Sequence, residues 1–368
     1  MITTRRSALR LLGVTATAAT AGLAAGTAYS QPIVADRIRL CDVQQAIENV
    51  AATAGVVGAI GRAYVDGRLA GEGTAGSRLL DGKGGCIPPG SRYRIASQTK
   101  IMEAAIVVQL VGEGRLRLED TLRGVLPETA ENDWVELADQ ITVRHLIRHT
   151  SGIPDFIESG WFDVFDFTTV YTQLDQVKAA RSVARKVELG QYYYSTTNYV
   201  LLGMIIERVT GNGRAGEFER RLFEPLGMRD TYLAVKISDQ VKGPHGHGYY
   251  PDAQGVPRDV DRINATIGSE GAISTARDVS RFYRALSEGR LVPEDLRRQV
   301  PQPMPGLCGG TVGWAAGSMP GINSTTFFST DGRIQFAVAV TLEIDNMQAM
   351  GIGDATTAAA EAVLGCAG

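Results

Sequence analysis

Apolar residues at Ile101, Ala104, Ala105, Val108 and Val111 recur at the 3.6-residue spacing of a helix, and Gly114 closes the run. The pattern predicts a helix from Ser97 to about Glu113. "TNYVLLGMIIERVTG" predicts a second strong helix, ended by Gly211. Residues 42–54 carry a shorter amphipathic helix. "VVGAIGRAYVDGRLAGEGTAG" follows with strand-like alternation and Asp66-Gly67 as a hairpin turn. Between residue 97 and about residue 289 the chain reads as mostly helical, with loops rich in Gly, Pro and Asp. After Pro305 the period changes. "TVGWAAG", "NSTTFFST" and "IQFAVAVTL" read as strands separated by Pro320-Gly321 and Asp331-Gly332. An Ala-rich helix spans about 349–364. Strands at both ends with helices between predict an α+β fold, in which one antiparallel sheet is built from both termini.

The composition fits an ordinary globular protein: 368 residues, 44% hydrophobic and 21% charged. The net charge of -3, with no basic run, argues against a nucleic-acid partner. "TTRRSALRLLG" places Arg5 and Arg6 before an Ala-rich apolar stretch, and "AYS" before Gln31 offers a small-residue cleavage site. Residues 1–30 therefore read as a twin-arginine export signal, leaving 31–368 as the mature chain. Thr and Gly interrupt the apolar stretch, so no stable membrane anchor is expected. Export permits disulfides among Cys41, Cys86, Cys308 and Cys366, which allow three pairings.

A serine nucleophile needs a partner that takes its proton. The chain has four histidines and no G-x-S-x-G elbow, so a Ser-His-Asp hydrolase is poorly supported. Lysine can serve instead when its ammonium form is destabilised; arginine cannot. Of 37 Lys plus Arg only six are Lys, and one of these, Lys100, stands three residues after Ser97. On a helix the two share one face. At the helix N-terminus, the backbone N–H of Ser97 is also placed to help hold an oxyanion. A single S-x-x-K is weak by itself, since a serine N-cap followed by a surface lysine gives the same pattern. The literal G-x-G-x-x-G from Gly71 to Gly76 lies within a strand and is not a nucleotide loop. His145 and His149 lie four apart on a helix, and "HGHGYY" is a His-x-His without carboxylate support in its vicinity. Both read as structural, so no metal and no cofactor are expected.

"YRIASQTKIMEAAIVVQLVGEGRLRLEDTL", "ITVRHLIRHTSGIP", "YYYSTTNYVLLGMIIERVTG" and "GSEGAISTARDVSRFYRAL", in this order, resemble the class C β-lactamase and D-Ala-D-Ala carboxypeptidase family of secreted serine enzymes. The nearest likeness is to the actinomycete carboxypeptidases, and it covers about residues 42–366. The resemblance implies a five-stranded antiparallel sheet flanked by helices, with an inserted all-helical domain and the active site between. The sheet part would be about 31–96 and 290–368, the helical part about 97–289. It implies that Ser97 is the acylated nucleophile, Lys100 its proton acceptor, and Tyr194 a general acid or base, with Tyr193 the runner-up. It implies an oxyanion hole from the N–H groups of Ser97 and Ser318. It also places the last helix behind the sheet, which pairs Cys308 with Cys366 and leaves Cys41 with Cys86.

Two departures alter the implied specificity. The family's Tyr-x-Asn motif has Thr196 in place of its Asn, and Asn198 does not substitute for it. Its third motif, a His or Lys followed by a small residue and Gly, falls on Ala315, Ala316 and Gly317, so the cation and the hydroxyl are missing. A frame shifted by one puts Trp314 first, as in related esterases. The substrate-binding set is thus Thr196, Trp314, Ala315, Ala316 and Gly317. The expected activity is an exported, monomeric serine hydrolase of D-Ala-D-Ala carboxypeptidase or β-lactamase type with altered carboxylate recognition. Its donors would be small peptides, β-lactams, esters or amides. An esterase or acyltransferase is the alternative, and a non-catalytic binder of cell-wall peptides the alternative from another class.

Overall fold

The computed structural model describes residue 40 and residues 42–268, 271–301, 304–345 and 348–365. The segment read as an export signal, Cys41 and Cys366 lie outside the described residues. Asp42 starts helix α1 (Val43–Ala51) by accepting from the N–H groups of Gln44 and Gln45. Val43, Ala46, Ile47 and Val50 form its buried stripe. Strands β1 (Val56–Val65) and β2 (Arg68–Gly76) make the hairpin, turning at Asp66-Gly67. The glycines of the rejected nucleotide motif have a packing reason. A Cβ on Gly71 or Gly73 would strike Val43 of α1, at 2.7 and 2.8 Å. They let the helix lie close on the strand.

After the short β3 (Tyr93–Arg94) come α2 (Gln98–Gly112), α3 (Leu122–Val125), α4 (Glu128–Glu131), α5 (Val143–Ile147), α6 (Gln173–Arg181), α7 (Thr196–Thr210), α8 (Arg214–Phe218) and α9 (Glu224–Leu226). Strands β4 (Tyr232–Leu233), β5 (Tyr249–Pro251), β6 (Pro257–Asp259) and β7 (Ala272–Ser274) precede α10 (Ala276–Ser287). The chain ends with β8 (Met304–Leu307), β9 (Val312–Met319), β10 (Ile322–Ser329), β11 (Ile334–Leu342) and α11 (Met350–Leu364).

The main sheet is antiparallel, in the order β2-β1-β11-β10-β9-β8. It has six strands where five are expected, because the short β8 adds an edge. Pro305 reads as a strand breaker, but an edge strand tolerates its missing N–H. The intervening region is not all-helical either. It contains the pair β5-β6, and β4 and β7 join β3 in a second small sheet. Strands of two or three residues are too short to print a period on the sequence. All nine residues of β11 are buried, because the sheet is covered on both faces. One apolar cluster joins it to α1 and α11, and the other to α2, α7 and α10. The second cluster holds the site.

The predicted Cys41–Cys86 bridge is corrected: Cys86 is exposed and free. It lies in a glycine-rich loop in which Gly82, Gly84 and Gly85 all take positive φ, at the protein surface. Cys308 is not a free thiol, and its predicted partner Cys366 lies outside the described residues.

Candidate active site

Ser97 stands at the N-cap of α2, yet its hydroxyl caps nothing. An N-cap serine ordinarily accepts from its own helix, and this one is left to other partners. Ala96 before it holds φ at +47°, in the left-handed region that disfavours a non-glycine residue. Strain of this kind persists where the surroundings over-determine it. Here they do. Ile95 N–H bonds Ala272 O at 3.0 Å. The buried Gln98 donates to Ser324 Oγ at 2.8 Å and accepts from Thr326 Oγ1 at 2.9 Å. The start of α2 is thereby fastened to β10.

The structure brings the three predicted catalytic residues together. Lys100 Nζ is 3.1 Å from Ser97 Oγ, and Tyr194 Oη donates to the same oxygen at 2.9 Å. Lys100 Nζ also lies 5.2 Å from the centre of the Tyr194 ring. Lys100 is only 3% exposed. Tyr193 is engaged elsewhere: its hydroxyl bonds Glu158, and burial, followed by that bond, pushes its pKa up to about 12.

Sequence reasoning treated His149 as structural and missed where it stands. Its ring stacks on Tyr194 at 4.4 Å and touches Tyr199 at 5.1 Å. His149 Nδ1 accepts from Ser195 N–H at 3.1 Å, which leaves the ring proton on Nε2. Burial and then the Lys100 charge push its pKa down to about 3, so the ring is neutral. Asn198 lies against the same nitrogen at 3.3 Å and accepts from Ser151 Oγ at 2.6 Å. Asn198 therefore supports His149 and does not reach the cleft. The signal for this network was present in "RHTSGIP", whose His and Ser supply it, but spacing alone did not connect them to residues 194–198.

Two buried carboxyls surround the lysine. Asp155 accepts from the N–H groups of Thr196, at 2.8 Å, and Ile157, at 3.1 Å. Burial raises its pKa, while those bonds and Lys100 oppose the rise. Thr196 is 2% exposed and turns its hydroxyl to the same carboxylate. Its predicted role as a substrate donor is corrected for that reason. Glu103, one turn below Lys100 on α2, has no hydrogen-bond partner for either oxygen. Arg214 Nη1 is 3.8 Å away, and burial pushes Glu103 up to about 7.

The opposite wall is β9. Among the described residues, β8 pairs only with residues 312–314 of it. A Cβ on Gly317 would fall 2.1 Å from Ile95 O and 2.8 Å from Ser97 N. This close approach leaves room for a glycine alone, which is consistent with reading Ala315, Ala316 and Gly317 as the third motif. Ala315 is buried against the α2 side and Ala316 is exposed. Trp314 packs with the cluster on the other face of the sheet. Strand alternation puts it opposite Ala315, which corrects its predicted place in the substrate site. Met319 pairs with Ile322 across the two-residue Pro320-Gly321 turn. That pair exchanges the ladder bonds, so the N–H of Ser318 points away from β10.

Comparison with known proteins agrees with this geometry. The family model described as Beta-lactamase matches residues 43–351. Penicillin-binding protein 4 of Amycolatopsis lactamdurans is 30% identical over 251 residues, 66% of this chain and 62% of that protein. Esterase EstB of Burkholderia gladioli is 25% identical over 260 residues, 62% of this chain and 66% of that protein. The chain thus spans less than two thirds of the length of these curated relatives. Among solved structures, a D-stereospecific amidohydrolase from Streptomyces sp. is 28% identical with a TM-score of 0.70. That match covers 83% of this chain and 96% of the other.

Proposed function

The chain belongs to the β-lactamase family, and from that premise we propose that it is a serine amidohydrolase or esterase whose acyl donors lack a free carboxylate at the leaving end. One observation carries this reading. The strand facing Ser97 offers Ala315 and Ala316 where a cation and a hydroxyl would be needed to bind a carboxylate. Small D-configured amides are the favoured donors. The amidohydrolase from Streptomyces, named for its D-stereospecificity, supports that choice through its coverage of nearly the whole fold.

The mechanism follows from the distances. Ser97 Oγ attacks the carbonyl carbon, and its proton passes to the neutral amine form of Lys100 Nζ, directly or through Tyr194. The N–H groups of Ser97 and Ser318 hold the oxyanion. The leaving amine or alkoxide takes a proton from Tyr194, which regains one from Lys100, and an ester on Ser97 remains. Water then attacks the ester, giving its proton to Lys100 or Tyr194, and that proton returns to Ser97 Oγ as the acid leaves. Neutral His149 keeps the Tyr194 ring in place without adding a second positive charge beside Lys100.

The test is labelling of purified protein by a fluorophosphonate and by a fluorescent penicillin, beside Ser97→Ala. Ser97-dependent fluorophosphonate labelling, with hydrolysis of D-amino-acid amides, is expected. Labelling by neither probe would make the chain a non-catalytic binder and end the proposal. Export through the Arg5-Arg6 segment is part of the same reading. It is checked by replacing both arginines with lysine, which is expected to retain the protein inside the cell.

A further inference from the structure

His245 and His247 meet a carboxylate that their own stretch of sequence does not contain. Asp261, from just beyond the β5–β6 hairpin, places Oδ1 2.8 Å from His245 Nε2. Its Oδ2 lies 3.9 Å from His247 Nε2. The two rings are stacked, with centres 5.2 Å apart and planes 14° from parallel. One ligand atom from each of the three residues lies within 4.8 Å of the others.

The opposite ring nitrogens settle the tautomers. His245 Nδ1 faces Gly243 O at 2.6 Å, and a carbonyl oxygen can only accept. His247 Nδ1 faces Asp259 Oδ2 at 2.8 Å, and an ionised carboxylate can only accept. Both Nδ1 atoms therefore carry hydrogen. In the neutral rings both Nε2 atoms present lone pairs, and both turn toward the oxygens of Asp261. Acceptors facing acceptors need a proton or a metal ion between them.

A histidine whose remote nitrogen donates to a carbonyl or carboxylate is the usual metal-bound arrangement, and here it occurs twice around one centre. The backbone is held as well. Arg78 Nε donates to His245 O at 3.1 Å, and an Arg94 guanidinium nitrogen to Asp261 O at 3.1 Å. Both arginines thus spend these bonds on backbone carbonyls and leave the ligand atoms to one another.

We propose that His245 Nε2, His247 Nε2 and the Asp261 carboxylate bind a divalent first-row transition metal of borderline softness, zinc being the best fit. Two imidazoles and one carboxylate supply three of the four positions zinc prefers, and water fills the fourth. The role is structural. Tyr249 and Gly248 pack against Gly321, where an added Cβ would come within 2.7 Å of Tyr249 N. Val260 N–H bonds Gly248 O at 2.9 Å. The metal would tie both ends of the β5–β6 hairpin together beside the Pro320-Gly321 turn, which ends the β9 strand of the active site.

The experiment uses the full-length chain stripped with chelator, titrated with Zn2+ against a colorimetric competitor and followed by thermal melting. One Zn2+ per chain and a higher melting temperature are expected. Asp261→Asn and His247→Ala are expected to abolish both. Asp259→Asn removes no ligand and is expected to weaken binding by about 10- to 100-fold. Absence of stoichiometric zinc binding by the folded wild type would overturn the proposal and leave a His245–Asp261 ion pair in its place. Wild-type zinc affinity in both His247→Ala and Asp259→Asn would overturn it equally. Those two side chains are the more exposed, so they decide the matter if Asp261→Asn does not fold.

Discussion

The two walls of the cleft are built in opposite ways. On the helical wall Ser97, Lys100, Tyr194 and His149 form one packed unit, in which each polar group is near another and Lys100 and His149 are out of solvent. On the strand wall Ala315 and Gly317 present backbone and one methyl group, while Ala316 turns to the other face. The first wall is fastened to the core through Gln98, Thr326 and Ser324. The second is one strand, held by its pairing with β10. Ala315 and Ala316 take no part in fastening the nucleophile, and so this fold can alter what it recognises there while leaving its acylation chemistry in place.

The largest effects belong to the helical wall. Ser97→Ala should reduce turnover of any acyl donor by about 10⁴-fold or more, measured as kcat/KM. Lys100→Arg should fall by a similar amount despite keeping the charge, because guanidinium does not give up its proton. Activity retained in Lys100→Arg would show that a positive charge alone suffices and would remove Lys100 as the base. Next comes the phenol. Tyr194→Phe should cost about 10²–10⁴-fold in kcat, while Tyr193→Phe, whose hydroxyl is bonded to Glu158, should cost little.

Much of this was legible in the sequence. The helices starting near Ser97 and Thr196 were legible as long, mainly apolar runs closed by Gly114 and Gly211, because each is buried on more than one side. The β9–β10 hairpin was readable from its Pro320-Gly321 turn. The supports were not. His149, Asp155 and Glu103 act through contacts between elements distant in sequence, and no spacing rule connects them. The same holds for Asp261, which completes the His245 and His247 cluster from across a hairpin. The short strands β4 to β7 fell below the length at which alternation can be counted.

Smaller effects separate the buried groups of the helical wall by the sign of their pH dependence. His149 stays neutral in the fold down to about pH 3, whereas in the unfolded chain it gains a proton near 6.5. Its contribution is whole above 6.5 and is lost as pH falls toward 3, by at most about 1.4 kcal/mol per unit. Glu103 has the opposite sign. Its folded pKa near 7 lies above the usual 4.5, so its contribution is whole below 4.5 and is lost as pH rises toward 7. Glu103→Gln should therefore stabilise the protein at pH 8, and His149→Gln should flatten the loss at acid pH. Urea melts at pH 4, 6 and 8 check both. A Glu103→Gln variant less stable than wild type at pH 8 would mean that the carboxylate is held favourably by Arg214.

The most direct test of the contrast between the walls is a matched pair of substrates: an acyl-D-alaninamide and the corresponding acyl-D-Ala-D-Ala with its free carboxylate. The wild type is expected to favour the amide in kcat/KM by about 10-fold or more, and Ala315→His to narrow that ratio by restoring a cation on β9. A wild type that prefers the free-carboxylate peptide would contradict the account.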